Sequence, residues 1–167
     1  MKYYKTYTGD TCNPMIPETV TPNLIDIAHH LSMICRYAGG TQDFYSVAQH
    51  SVHVSQLMEM DGYDRAAQLD GLMHDASEAY LGDMLAMLKD NMPAYRKWED
   101  DLTARINKHF GVDAIHDRTK VYDLRMREYE KAALLRGAQT GLPNGWKVWT
   151  PVEANLKFLE RFYEITK

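Results

Sequence analysis

A chain of 167 residues, 45% hydrophobic and 25% charged, has apolar material for one core and too ordinary a charge content for a disordered protein. Its net charge of -4 argues against a nucleic-acid polymer as partner, whose footprint is a basic face, but not against a small anion held by local cations or a metal. The two cysteines, Cys12 and Cys35, are too few for a disulfide framework; with no signal-type or membrane-length apolar run, the expectation is reduced thiols, a cytoplasmic location and no membrane partner.

Residues 1–22 carry Gly9, Asp10, Asn13, Pro14, Pro17 and Pro22 and read as an irregular arm, with a short hairpin at Gly9-Asp10. Residues 23–167 read as a single helical domain. Asn23 caps a first helix with Asp26 in its first turn. Leu24, Ile27, Ala28, Leu31, Ile34 and Cys35 recur at helical spacing until Gly39-Gly40 stops it. Ser46-Val47-Ala48-Gln49 has the form of a capping box, opening a second helix with Val47, Val54, Leu57 and Met58 as its stripe. A third runs from Asp64 to Gly82 through Ala66, Leu69, Leu72, Met73, Ala76 and Tyr80. A fourth follows Pro93 with Tyr95, Trp98, Leu102 and Ile106 as its buried line. A fifth starts at Asp113 or His116 and passes through Val121 and Leu124 to about Leu135. Pro151 opens the last, with Ala154, Leu156, Phe158, Leu159 and Phe162. No series of strands alternates with these helices, so the class is all-α.

The segment Leu72-Met73-His74-Asp75-Ala76-Ser77-Glu78 places an imidazole beside a carboxylate inside an apolar helix. Helical spacing sets His74 and Glu78 one turn apart with Asp75 beside them. Burying such groups together is costly unless something compensates, and a divalent cation accepts neutral imidazole and carboxylate at once. His50 lies between Val47 and Val54 and so faces the core. A lone core histidine is more often structural than a ligand; the His-Asp pair on the next helix changes those odds. Asp123 has two readings, a ligand or a surface carboxylate facing Arg127 one turn on.

The pattern His50, His74-Asp75, Asp123 resembles the HD-domain phosphohydrolases. Ser46-Val47-Ala48-Gln49-His50-Ser51 and His74-Asp75-Ala76-Ser77-Glu78, followed by Gly82-Asp83 and Lys89, are similar to the small bacterial 5'-deoxynucleotidases and to phage-type dATP triphosphohydrolases. The stretch Asp26-Ile27-Ala28-His29 to Cys35-Arg36-Tyr37, then Phe44-Tyr45-Ser46, is similar to the short phage-type members, as is the terminal Trp149-Thr150-Pro151 helix. The resemblance spans about residues 20–135 and implies an HD-domain helical bundle.

It also implies roles. His50, His74, Asp75 and Asp123 would bind one divalent transition metal (Co, Mn, Zn or Fe). Glu78 would act on the attacking water and Asp83 would support it or handle the leaving-group proton. Arg36 and Lys89 would bind phosphate oxygens, and Tyr37 would contact the nucleoside. Additional Mg would accompany the substrate phosphates. The implied activity is a deoxynucleotide phosphohydrolase, first a dATP-preferring dNTP triphosphohydrolase releasing deoxynucleoside and triphosphate, with a 5'-deoxynucleotidase acting on dNMPs as the alternative. A non-catalytic nucleotide-binding protein is the distant one. Implied too are a homo-oligomer, dimer or hexamer, and the host cytoplasm for a phage-encoded member. The chain departs from the pattern at Gln49, where Glu is frequent, and at Met84-Leu85-Ala86-Met87-Leu88, which lacks the usual prolines before Lys89. At Tyr37 some relatives carry Trp or Phe.

Other residues receive plainer readings. His53 is rotated off the apolar stripe and reads as a polar flank. His29 and His30 read as packing or surface, His109 and His116 as peripheral. The ten methionines read as packing, and Glu99-Asp100-Asp101 as a solvated face. A DNA-binding module wants a basic recognition helix, which is absent. A carboxylate-bridged four-helix site wants paired Glu-x-x-His motifs, also absent.

Overall fold

The computed structural model describes residues 2–113, 116–137 and 140–167, and the class is all-α. The arm forms a hairpin in which β1 (Tyr4–Lys5) pairs antiparallel with β2 (Thr11–Cys12), turning at Gly9-Asp10 as expected. The arm is docked. Thr8 donates from its backbone N and its hydroxyl to the fully buried Asp26 at 2.7 and 2.8 Å. Cys12 and Val20 belong to the main core. Asp26 therefore anchors the arm as well as facing the helix dipole.

α1 (Leu24–Met33) begins at Asn23, whose side chain accepts from the Ile25 amide at 2.9 Å. It stops well short of the expected Gly39-Gly40. Ile34 turns extended, and Cys35 pairs with Ser46 across an antiparallel bridge, with the Arg36 amide donating to the Tyr45 carbonyl at 2.9 Å. The turn Arg36–Gly39 follows, with Tyr37 at φ 57° and Ala38 at φ 50°. Neither is glycine, so this left-handed pair costs on the order of 1–2 kcal/mol per residue and persists only where surrounding contacts hold it.

α2 (Val47–Met60) is the central helix, packed against α1, α3 (Arg65–Met73), α7 (His116–Leu134) and α8 (Pro151–Thr166). Ser46 caps it, accepting from the Gln49 amide at 3.1 Å. The reciprocal half of the expected box is absent. Gln49 instead donates to the Lys147 carbonyl at 2.6 Å and accepts from the Trp149 amide at 2.9 Å, tying the segment before α8 to the centre. Because α2 has neighbours all round, Val47 to Ser55 are buried without a polar face, and His53 is fully buried. The expectation of a polar flank fails for that reason. His53 stacks on Trp146 with centroids 4.0 Å apart and bonds the Tyr45 hydroxyl at 3.1 Å.

The expected third helix is two pieces. Asp64 caps α3, accepting from the Ala67 amide at 2.9 Å, and Ala67 rather than Ala66 is buried. After Met73 the bonding tightens, with Ala76 N to Met73 O at 2.9 Å and Glu78 N to Asp75 O at 3.0 Å, before α4 (Glu78–Leu81). Gly71 explains the closeness of α3 to α2, since a Cβ there would lie 2.6 Å from Met58 Sδ and 3.4 Å from Ser55 Cα. One turn later this brings the His74 ring to 5.3 Å from that of His50.

The short α5 (Ala86–Lys89) was not anticipated; α6 (Pro93–Phe110) was, with Tyr95, Leu102 and Ile106 buried. Of the two starts expected for the fifth helix, α7 is described from His116, residues 114 and 115 lying outside the described residues. Its inner face is not the expected one. Val121 and Leu124 are 60% and 47% exposed, whereas Thr119, Tyr122, Asp123, Met126 and Glu130 are buried. α8 carries the full capping box of Thr150 and Glu153, with Leu156 turned outward. Among the described residues no helix is long and apolar enough to cross a membrane.

Candidate metal centre

His50 from α2, His74 and Asp75 from the tight turn after α3, and Asp123 from α7 meet where these three helices converge. Ligand atoms of His50, His74 and Asp123 all lie within 4.8 Å of one another. His50 Nε2 is 3.3 Å from Asp123 Oδ1 and 3.8 Å from Asp75 Oδ2, and His74 Nε2 is 3.1 Å from Asp75 Oδ2. Despite these distances neither Nε2 has an aligned hydrogen bond, and both are buried.

The other ring nitrogens explain why. His74 Nδ1 lies 2.8 Å from the Gly71 carbonyl, which can only accept, so Nδ1 carries the proton. His50 Nδ1 is 2.6 Å from Glu130 Oε1, again an acceptor. With Nδ1 committed to an acceptor, each ring turns Nε2 toward a common point, and the neutral form of that tautomer is the one metal coordination requires. Two nitrogen and two carboxylate donors suit a divalent transition ion.

Charge supports the same fit. Burial lowers the His74 pKa, but Asp75 and Asp123 outweigh it and pull the value up to about 9. Burial should raise Asp75 and Asp123, yet His74 holds the first and His50 the second well below the carboxylate range. The cluster thus demands positive charge, which a cation supplies without a proton on His74.

All the other site residues expected from sequence line one cavity of about 750 Å³, with His50 buried behind it. Glu78 is nearly buried, its Oε2 is without a partner, and Lys89 Nζ lies 3.6 Å from its Oε1. Burial, then Asp75 and Asp83, push the Glu78 carboxyl well above its ordinary range. Asp83 is raised by burial and by Asp75, against the pull of Arg36. Lys89 reaches the site from α5 without the prolines and also bonds Glu99 at 2.6 Å. Glu99 thus helps hold a site lysine, which the reading of a solvated acidic face does not include.

Arg36 is buried, with Nη1 3.5 Å from Asp75 Oδ2 and Nε 3.2 Å from Glu130 Oε2. The Tyr37 hydroxyl donates to Glu130 Oε2 at 2.8 Å. Asp123 pairs with Lys120 at 2.7 Å rather than with Arg127. Arg127 lines the cavity, and its guanidinium makes no ion pair among the described residues.

Glu130 escaped the sequence reading. It is fully buried, and His50 and Arg36 overcome the cost of burial to bring its carboxyl down to about 2. Its signal was the spacing of Thr119, Asp123, Met126 and Glu130 on one helical face, masked by the more hydrophobic Val121 and Leu124.

No protein-family model matches the chain. A protein of Rhodobacter capsulatus, itself uncharacterized, is 34% identical over 113 residues, which are 65% of this chain and 58% of that protein. The uncharacterized protein YfdR of Escherichia coli is 38% identical over 136 residues, covering 80% of this chain and 70% of YfdR. At that identity and coverage, the chain belongs to the same family as YfdR.

Proposed function

We propose that this protein is a divalent-metal-dependent phosphohydrolase of the HD-domain type acting on deoxynucleotides. The observation that carries this reading is the pair of buried imidazoles with committed Nδ1 atoms, whose Nε2 atoms converge beside Asp75 and Asp123. His50, His74, Asp75 and Asp123 would hold Co, Mn, Zn or Fe. When bound, such an ion supplies positive charge for phosphoryl oxygens and acidifies water.

Glu78 takes the proton of the attacking water. It is close to the donor set without belonging to it, and it lines the cavity. Positive charge beside it opposes the effect of Asp75 and Asp83 and favours its ionised, proton-accepting form. Asp83, whose carboxyl is also raised, holds a proton for the departing deoxynucleoside oxygen. Arg36 offers a planar fork and Lys89 a mobile point charge to phosphate oxygens; Mg entering with the substrate would supply further charge for them. Tyr37 lies beside the nucleoside.

The first substrate is a dNTP, with dATP preferred, cleaved to deoxynucleoside and triphosphate. Supporting a polyphosphate are the cavity of about 750 Å³ and two further cations lining it from α7, Lys120 and Arg127. The second reading is a 5'-deoxynucleotidase on dNMPs, for which Arg36 and Lys89 beside Asp75 and Glu78 are sufficient. The test strips the protein of metal, reloads it with each ion in turn, and resolves triphosphate, pyrophosphate and orthophosphate from dNTPs and dNMPs. Triphosphate from dATP is expected. Orthophosphate from dNMPs alone selects the second reading, and nucleotide binding without turnover overturns both.

A further inference from the structure

Glu130 divides its two oxygens between two parts of the molecule. Oε1 holds His50 Nδ1 at 2.6 Å, while Oε2 holds Arg36 Nε at 3.2 Å and the Tyr37 hydroxyl at 2.8 Å. It is fully buried and sits two helical turns after Asp123 on α7. The turn it grips contains Tyr37 and Ala38 in left-handed conformations, which need external contacts to persist. Tyr37 has a second tie to the same helix, its hydroxyl lying 3.3 Å from the Arg127 carbonyl.

We propose that Glu130 is a positioning residue that couples the metal-ligating His50 to the Arg36–Tyr37 turn, so that metal loading and the nucleotide-contacting turn share one carboxylate. The proposal rests on the reading of His50 as a metal ligand. All three partners of Glu130 present N–H or O–H donors, so both its oxygens must accept. An amide at this position has one accepting oxygen. If its NH2 faced His50, the imidazole would accept at Nδ1 and carry its proton at Nε2, where the lone pair is needed. If its NH2 faced the turn, it would oppose the Arg36 guanidinium, which cannot accept. Glu130→Gln therefore sacrifices one side whichever way the amide lies. A carboxylate behind a ligating histidine is worth about 10–100-fold in metal affinity.

The experiment measures Mn binding to metal-stripped protein by equilibrium dialysis, and hydrogen exchange of residues 35–40 with and without saturating Mn. In the parent, Mn slows exchange in the turn. Glu130→Gln either binds Mn about 10–100-fold more weakly, with its amide NH2 toward His50, or keeps the affinity and no longer protects the turn when saturated, with its NH2 toward Arg36. Tyr37→Phe removes the hydroxyl ties to Glu130 and the Arg127 carbonyl and leaves His50 and Arg36 on the carboxylate, so it keeps the parent's Mn affinity and weakens the Mn-dependent protection. This second variant decides the question should Glu130→Gln fail to fold. Parent-like Mn affinity together with parent-like Mn-dependent protection in folded Glu130→Gln, or a turn whose exchange ignores Mn in the parent, overturns the coupling. A parent that binds no divalent ion overturns both the coupling and the metal centre. A parent that binds Mn but hydrolyses no nucleotide overturns the proposed activity alone, and the exchange result still decides the coupling.

Discussion

His50 Nε2 stands 3.3 Å from Asp123 Oδ1, across the junction of α2 and α7, and yet is buried without a hydrogen bond. When Glu130 takes the Nδ1 proton of a neutral His50, the Nε2 lone pair faces this carboxylate oxygen, and the two repel unless a positive charge lies between or beside them. A cation there stabilises the folded state by mass action, about 2.7 kcal/mol at a hundred times its dissociation constant. For a domain of this size that amounts to a rise in melting temperature of roughly 5–10 °C. Asp123→Asn removes one negative donor and should abolish most of the rise on adding Mn or Co. Thermal melts of both proteins with and without metal decide it. An undiminished shift in the variant would remove Asp123 from the ligand set.

Glu78 should separate stability from activity. Its carboxyl is pushed up by burial, by Asp75 and by Asp83, so ionising it costs more in the folded than in the unfolded chain. That cost is absent at low pH and grows as pH rises above the unfolded carboxylate value of about 4.3. Glu78→Gln removes the cost, so the metal-free variant should melt at or above the parent temperature at pH 7. It should retain Mn affinity and lose about 10²–10⁴-fold in hydrolysis. A variant with parent-like turnover would show that the proton goes elsewhere.

Much of the fold was legible because caps and punctuation are local. Asn23, Ser46, Asp64 and Thr150 all accept a backbone N–H of the helix they precede. The end of α1 was not, because the Cys35–Ser46 bridge that terminates it depends on residues beyond the loop. The break at His74 was hidden by the apolar Ala76 and Tyr80, which continue a helical period through a tightened turn. His53 was misread because periodicity assumes a wet side, and α2 has none between Val47 and Ser55. The candidate site was legible where chemistry is exceptional, at His74-Asp75. It was illegible at Glu130, which on sequence is one glutamate among several on a charged helix and gains meaning only from partners on α2 and the turn after α1.

His53 gives the protein an acid-sensitive core. Burial lowers its pKa to about 3, against an unfolded value of about 6.5. Between these values the unfolded chain binds the proton more readily, so stability is full above about pH 6.5 and is lost as pH falls. The loss approaches 1.4 kcal/mol per pH unit, or about 2 kcal/mol from pH 6.5 to 5. Glu78 acts with opposite sign in this window, since its raised pKa favours the folded state as pH falls. The difference between parent and His53→Phe therefore isolates the histidine. Urea titrations at pH 7, 6 and 5 should show the variant, whatever its baseline, lacking that share of the acid loss. Parallel stability curves for the two would mean that His53 titrates normally.

Arg161 should be among the most sensitive positions outside the site. It is 6% exposed on α8. Its guanidinium reaches Ser55 Oγ at 3.0 Å and Ser55 O at 3.3 Å on α2, Gln68 Oε1 at 2.9 Å on α3, and Glu59 Oε2 at 3.0 Å. Glu59 is mostly solvated, so that ion pair adds little. The buried neutral acceptors matter more. Arg161→Met fills much of the volume but leaves Gln68 Oε1 and Ser55 without the donor, a loss of about 3 kcal/mol or more. Melting should fall by roughly 6–12 °C. Arg161→Lys keeps the charge but cannot fork between α2 and α3, so it should recover less than half of this. Mn affinity should be unchanged in both, because the contacts lie away from His50 and Asp123. Calorimetry with parallel metal dialysis tests the pair. A Met variant melting within about 2 °C of the parent would mean that apolar packing alone holds α8 in place.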